Sequence, residues 1–109
     1  MVYGNIQDVK EILGIEKDDK IFDNKILKFL QISSEWADQK LNGFEVPNSF
    51  RTTISILYAA YLFRTSVFES NTESESAVAV MFKKEAEDLI RTMKFNNTKL
   101  LYKVNGEVK

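Results

Sequence analysis

Asp18, Asp19 and Asp23 cluster around an expected helix start. Carboxylates gathered at a helix start can collect a divalent cation through oxygen ligands. Their spacing departs from that of a calcium loop, and helix capping with solvation accounts for them more simply. Glu73 and Glu75 face opposite ways in an extended loop, and Glu85 with Asp88 makes a plain surface pair. Carboxylate catalysis needs two acids held across a pocket with separated proton affinities, and neither pair offers that.

The serines at 33, 34, 49, 55, 66, 70, 74 and 76 have no base to activate them. The sequence contains no His and no Cys, which removes the commonest general base, the commonest metal ligand and the thiolate nucleophile. Gly4, Gly14, Gly43 and Gly106 are isolated, so no phosphate-cradling loop is present. The expectation is a protein that is not an enzyme, with no catalytic residue, no metal site and no cofactor.

Charge narrows the partners. The net charge of -1 gives no global reason to expect nucleic-acid binding. Lys25, Lys28, Gln31 and Lys40 are interleaved with Asp23, Glu35 and Asp38, unlike a recognition helix. Lys99, Lys103 and Lys109 leave room for non-specific DNA contact at low salt. Residues 69–88 carry six acids against two lysines, whereas 91–109 are basic apart from Glu107. Such a dipolar surface suits self-assembly, although most charge runs are solvated faces.

These residues must be positioned by helices. At 109 residues, 44% hydrophobic and 28% charged, the chain is one domain of ordinary composition, or one domain with a tail. Asn5 can cap a first short helix with Asp8 in its first turn, and Gly14 supplies a stop. Asp18 or Asp19 can cap a second. There Phe22, Ile26, Phe29, Leu30, Ser33, Trp36, Ala37 and Leu41 trace one face as far as Asn42-Gly43. Leu27 and Ile32 lie off that stripe.

Pro47 suits the start of a third helix, ending near Phe68. Its inward stripe is Phe50, Ile54, Leu57 and Tyr61, and the run ISILYAAYLF leaves Ile56, Ala60, Phe63 and Val67 on another side in need of cover. That run is too short to span a bilayer. The first helix could cover one patch, and the alternative to self-association is a closed monomer in which that helix and the C-terminal tail fold back. After the polar loop ESNTESESA, a fourth helix places Val78, Phe82, Ala86, Leu89, Ile90 and Met93 on one face. Leu100, Leu101, Tyr102 and Val104 read as a short extended segment before the turn signal Asn105-Gly106. The start, MVYGNIQDVKE, lacks the basic and apolar regions of a secretory signal. The fold class expected is all-α: one short N-terminal helix, three longer packed helices and a short C-terminal extended segment. The domain division is 1–95 for the helical body and 96–109 for an extension that could act as a docking arm.

The order of elements resembles the head–tail connector (adaptor) proteins of long-tailed double-stranded DNA phages and prophages. The resemblance is carried by IQDVKEILGI at 6–15, then Asp19 and ILKFLQISSEWADQKLN at 26–42. Val46-Pro47 follows, then a helix beginning with SF and continuing as ISILYAAYLFR at 54–64, a polar loop, and FKKEAEDLIRTM at 82–93. It covers roughly residues 3–95, and the NNTKLLYKVNG tail departs from the simplest pattern. It implies a structural virion protein without catalysis, forming a ring of about a dozen subunits between portal and tail, with assembly either free or templated only on the portal. The partners implied are further copies of the chain, the portal protein, a tail-completion or stopper protein, and DNA passing without specific contact. No membrane is implied. The location implied is the head–tail junction of the virion, with host cytoplasm before assembly.

Carried to this chain, Ile56, Phe63 and Val67 become candidates for subunit contacts, joined by the off-stripe Leu27 and Ile32 and by Phe68 at a helix end. Leu100, Leu101, Tyr102 and Val104 become candidates for docking on the portal or a neighbour. Glu69, Glu73 and Glu75 could face a channel, where like charge would keep DNA from sticking. The alternatives are a monomeric or dimeric all-α adaptor binding one protein near Phe63 and Phe68, a small DNA-binding regulator, and a helical subunit lending structure to an enzyme.

Overall fold

The computed structural model describes residues 2–68 and 77–108, with side chains described for 2–66 and 78–96. The chain is all-α, as expected. Its helices are α1 (Ile6–Leu13), α2 (Asp23–Lys40), α3 (Asn48–Phe68) and α4 (Ala77–Val108). Among the described residues there is no strand, and no helix is long and apolar enough to cross a membrane.

The ends of α1 follow from their residue types. The Asp8 N–H donates to Asn5 Oδ1 at 3.0 Å, closing the first turn. Gly14 takes the left-handed conformation at φ 75, and its N–H returns to the Glu11 carbonyl. The start of α2 differs from expectation. Its cap position is Phe22, without a side-chain cap bond, while Asp19 Oδ1 accepts the N–H of Ile21 in the preceding turn. An aromatic contact fixes the entry instead, because Phe22 packs edge-on against Phe63 with ring centroids 5.1 Å apart.

Helix α3 is the axis of the fold, and it is covered on two sides. On one side Ile56, Ala59 and Phe63 pack with Val9 of α1 and Ile26 and Leu30 of α2. On the other, Ile54 and Leu57 pack with Ala37 and Leu41 near the end of α2 and with Ala86 and Ile90 of α4. The broadest contact in the fold is between α2 and α3. Ser33, Ser34 and Ala37 on α2 and Ser55, Ala59 and Ala60 on α3 are all buried, and short side chains let helix axes approach closely.

The apolar far side of α3 is therefore closed within the chain. The sequence reading left Ile56 and Phe63 uncovered, as candidate subunit contacts; Phe63 is 0% exposed and Ile56 is buried. The short α1 and the first half of α2 supply the missing cover. Gly4 adds to it, since a Cβ there would come within 2.9 Å of Ile56 Cγ1 and the residue adopts φ +85.

Helix α4 is longer than the sequence reading, which ended it near Phe95. No proline interrupts the chain beyond that point, and its Lys and Leu residues are good helix formers. Leu100, Leu101, Tyr102 and Val104, expected as an extended segment, fall within α4; the side chains of 97–108, and with them the docking contacts expected there, lie outside those described. The same holds for the side chains of Val67 and Phe68, and for Glu69, Glu73 and Glu75 in the loop. Within α4 the inward face is corrected by one position: Val78 is exposed and Ala79 is buried.

Candidate interaction surface

The carboxylates first weighed for chemistry are occupied structurally. Asp23 Oδ1 lies 2.6 Å from Lys10 Nζ, and Asp19 holds the turn before α2. Among the described residues no group of three or more acids is placed to hold a metal ion. The Lys10–Asp23 pair was not legible in the sequence. Lys10 is 1% exposed, and its ammonium also donates to the Lys17 carbonyl at 3.3 Å. A buried lysine needs such partners, because an unpaired charge in the interior is costly. The pair ties α1 to the start of α2.

A second polar network ties the N-terminal segment to the bundle. The Tyr3 N–H donates to Ser34 Oγ at 2.9 Å, and Ser34 Oγ donates onward to the Leu30 carbonyl at 2.7 Å. The Tyr3 hydroxyl and Arg51 Nη1 both donate to Asp38 Oδ1, each at 2.8 Å. The hydrogen bond to Asp38 raises the Tyr3 phenol above its ordinary value, with burial and the Asp38 charge adding to the effect and Arg51 opposing it. Ser33 Oγ and Ser55 Oγ are buried without a hydrogen-bond partner among the described residues. Through Ser34 and Asp38 the network fastens Tyr3 to α2 and α3.

Two of the surface clefts among the described residues differ in charge. The larger, of about 480 Å³, lies among α1, α3 and α4 and is lined by Ile12, Thr53, Ile56 and Leu57 with Asp8, Glu11 and Glu85. The smaller, of about 250 Å³, lies between α2 and α4, where Trp36 and Ile90 meet Lys40, Glu87, Arg91 and Lys94. Trp36 is held by stacking on Tyr58, with ring centroids 3.9 Å apart and planes 3° from parallel. The first cleft is acidic and the second mainly basic. Each joins apolar side chains to charged ones, a lining that suits binding.

Apolar side chains remain open after both cores are filled. On α2, Ile32 is 44% exposed and Leu27 38%; both were expected off the main stripe. On α4, Met81 is 66% exposed and Phe95 64%, with Val78 and Val80 also exposed. Met81 was not singled out from the sequence, although its place beside Phe82, one step off the inward face, carried that signal. No family model, curated protein or solved structure matches the chain. Its surface must therefore be read from its own chemistry: a closed core, two oppositely charged clefts, and open apolar positions on α2 and α4.

Proposed function

We propose that the chain is a structural, self-assembling subunit of the phage head–tail junction, forming a ring between portal and tail and performing no catalytic step. The observation that carries the self-assembly is the open apolar surface of α4 and α2, beyond a core that is already complete. The order and lengths of the four helices support the connector reading, through their resemblance to that phage family. On this reading the partners are further copies of the chain, the portal and a tail-completion protein. The location is the virion.

Electron microscopy of negatively stained protein, alone and with a portal protein, tests the proposal. Closed rings in either sample are the expected result. Particles no larger than a dimer in both would overturn it. A second reading has its own support. Ile56 and Phe63 are buried by α1 and α2 within one copy, so the monomer is closed around α3. A monomeric adaptor that binds one protein partner through the α2 and α4 surface is compatible with that closure, and it would bind its partner without forming rings.

A further inference from the structure

We propose that Phe95, flanked by Arg91 and Lys94, seats in the acid-rimmed cleft of a second copy of this chain, making a head-to-tail contact. The inference rests on the self-assembly reading and names the two surfaces that meet. The receiving side is the cleft of about 480 Å³ whose apolar floor is Ile12, Ile56 and Leu57. Its rim acids, Asp8, Glu11 and Glu85, have no ion-pair partner among the described residues. The cleft is open to solvent and has room for an aromatic ring.

The entering side is its complement in both shape and charge. Phe95 projects from α4 with most of its surface in water, and an exposed phenyl ring is the kind of anchor that fills a pocket in a partner. Arg91 precedes it by one helical turn and Lys94 is its neighbour. The Lys94 ammonium lies 5.4 Å from the Phe44 ring centroid, which keeps it at this end of the helix. Arg91 pairs with Asp88 at 3.0 Å, but both are solvent-exposed, and an ion pair of that kind is weak enough to exchange for another carboxylate. An apolar knob between two cations thus meets an apolar floor between three acids, and such complementarity fixes partner and register.

The contact lies between copies. Phe95 follows Glu85 on the same helix, and their numbering places them about 15 Å apart along its axis, so the ring cannot reach its own cleft. Knob and cleft are different patches, so each copy that donates Phe95 keeps its own cleft free. Repetition then gives a ring or an open filament and not a closed pair.

The absence of native cysteine permits a direct test with the full chain. Single variants Thr53→Cys, in the cleft lining, and Asn96→Cys, beside Phe95, are mixed under mild oxidation, and the double variant is treated alone. The expected result is a cross-linked heterodimer between positions 53 and 96 from the mixture and a ladder of dimer, trimer and higher species from the double variant. Adding Glu11→Lys and Glu85→Lys to the Thr53→Cys copy should lower the yield about tenfold, because like charges then meet. Adding Arg91→Glu and Lys94→Glu to the other copy should restore it. If the wild-type chain assembles by light scattering but no such cross-link forms, this contact is overturned and the self-assembly reading stands. If the wild-type chain is also monomeric at every concentration, both alone and with a portal protein, both fall.

Discussion

Two sets of apolar side chains in this molecule, on the far side of α3 and on the outer side of α4, meet opposite fates. On α3, Ile56 and Phe63 are sealed by α1 and α2. On α4, Met81 and Phe95 stay open. The difference lies in what lies alongside each helix: α3 has helices packed on two sides, whereas α4 packs on the bundle through Ala86 and Ile90. An apolar run marks a need for cover, and the topology decides whether the same chain meets it.

The largest effect expected from breaking this contrast is at Phe63. Replacing it with Asp puts a charge into a site with no room for water, and helicity and cooperative melting should be lost together. Even Phe63→Ala should cost about 3–5 kcal/mol. The matched change Phe95→Asp should leave the melting temperature almost unmoved, since exposed substitutions stay within about 0.5 kcal/mol. Circular dichroism melts of the two variants, run in parallel, check the comparison. Equal losses would show that the two surfaces do not differ as described.

Next in size is Asp23→Ala, which strands Lys10 in the interior. Removing one partner of a buried pair costs on the order of 3 kcal/mol, reduced here because Asp23 is partly exposed. Lys10→Met should be milder, since it removes the buried charge as well. Chemical denaturation of both variants checks the order, and Lys10→Met proving the worse would contradict it.

This pair also shows where the sequence stops being informative. Lys10 sits in a short amphipathic helix and reads as a surface residue; only the docking of α1 against the start of α2 buries it. The caps Asn5 and Gly14 were legible because capping is local chemistry. So were the stripes of α2 and α3, because helical period fixes a face. Cover for Ile56 and Phe63 by the first helix was left open as an alternative to self-association, because it depends on how α1 and the N-terminal segment fold back. Leu27 and Ile32 were found as off-stripe residues, whereas the acid-rimmed cleft joins three helices and had no signature in any one of them.

A smaller effect concerns Tyr3. Its phenol is raised in the folded state, so the stability it contributes is present below pH 10, the ordinary phenol value, and is lost as pH rises through the higher folded value. Tyr3→Phe should cost about 1 kcal/mol at neutral pH and flatten the alkaline fall in melting temperature. An unchanged alkaline fall in the variant would remove Tyr3 as its source. Smallest of all is Ser55→Ala: it removes a buried hydroxyl without a partner, so stability should hold or rise by up to about 1 kcal/mol. A clear loss in denaturant would mean that the hydroxyl has a partner in solution.

The central claim is that a chain with a complete core keeps an outer surface for its own copies. It is tested most directly by the mass of the wild-type protein and of Phe95→Asp, measured by light scattering over one concentration range, alone and with a portal protein. The account predicts wild-type mass rising well beyond a dimer in at least one of the two conditions, while the variant, equally folded, does not self-associate. A wild-type protein that stays unassembled in both, or a variant that assembles as well as the wild type, would contradict it.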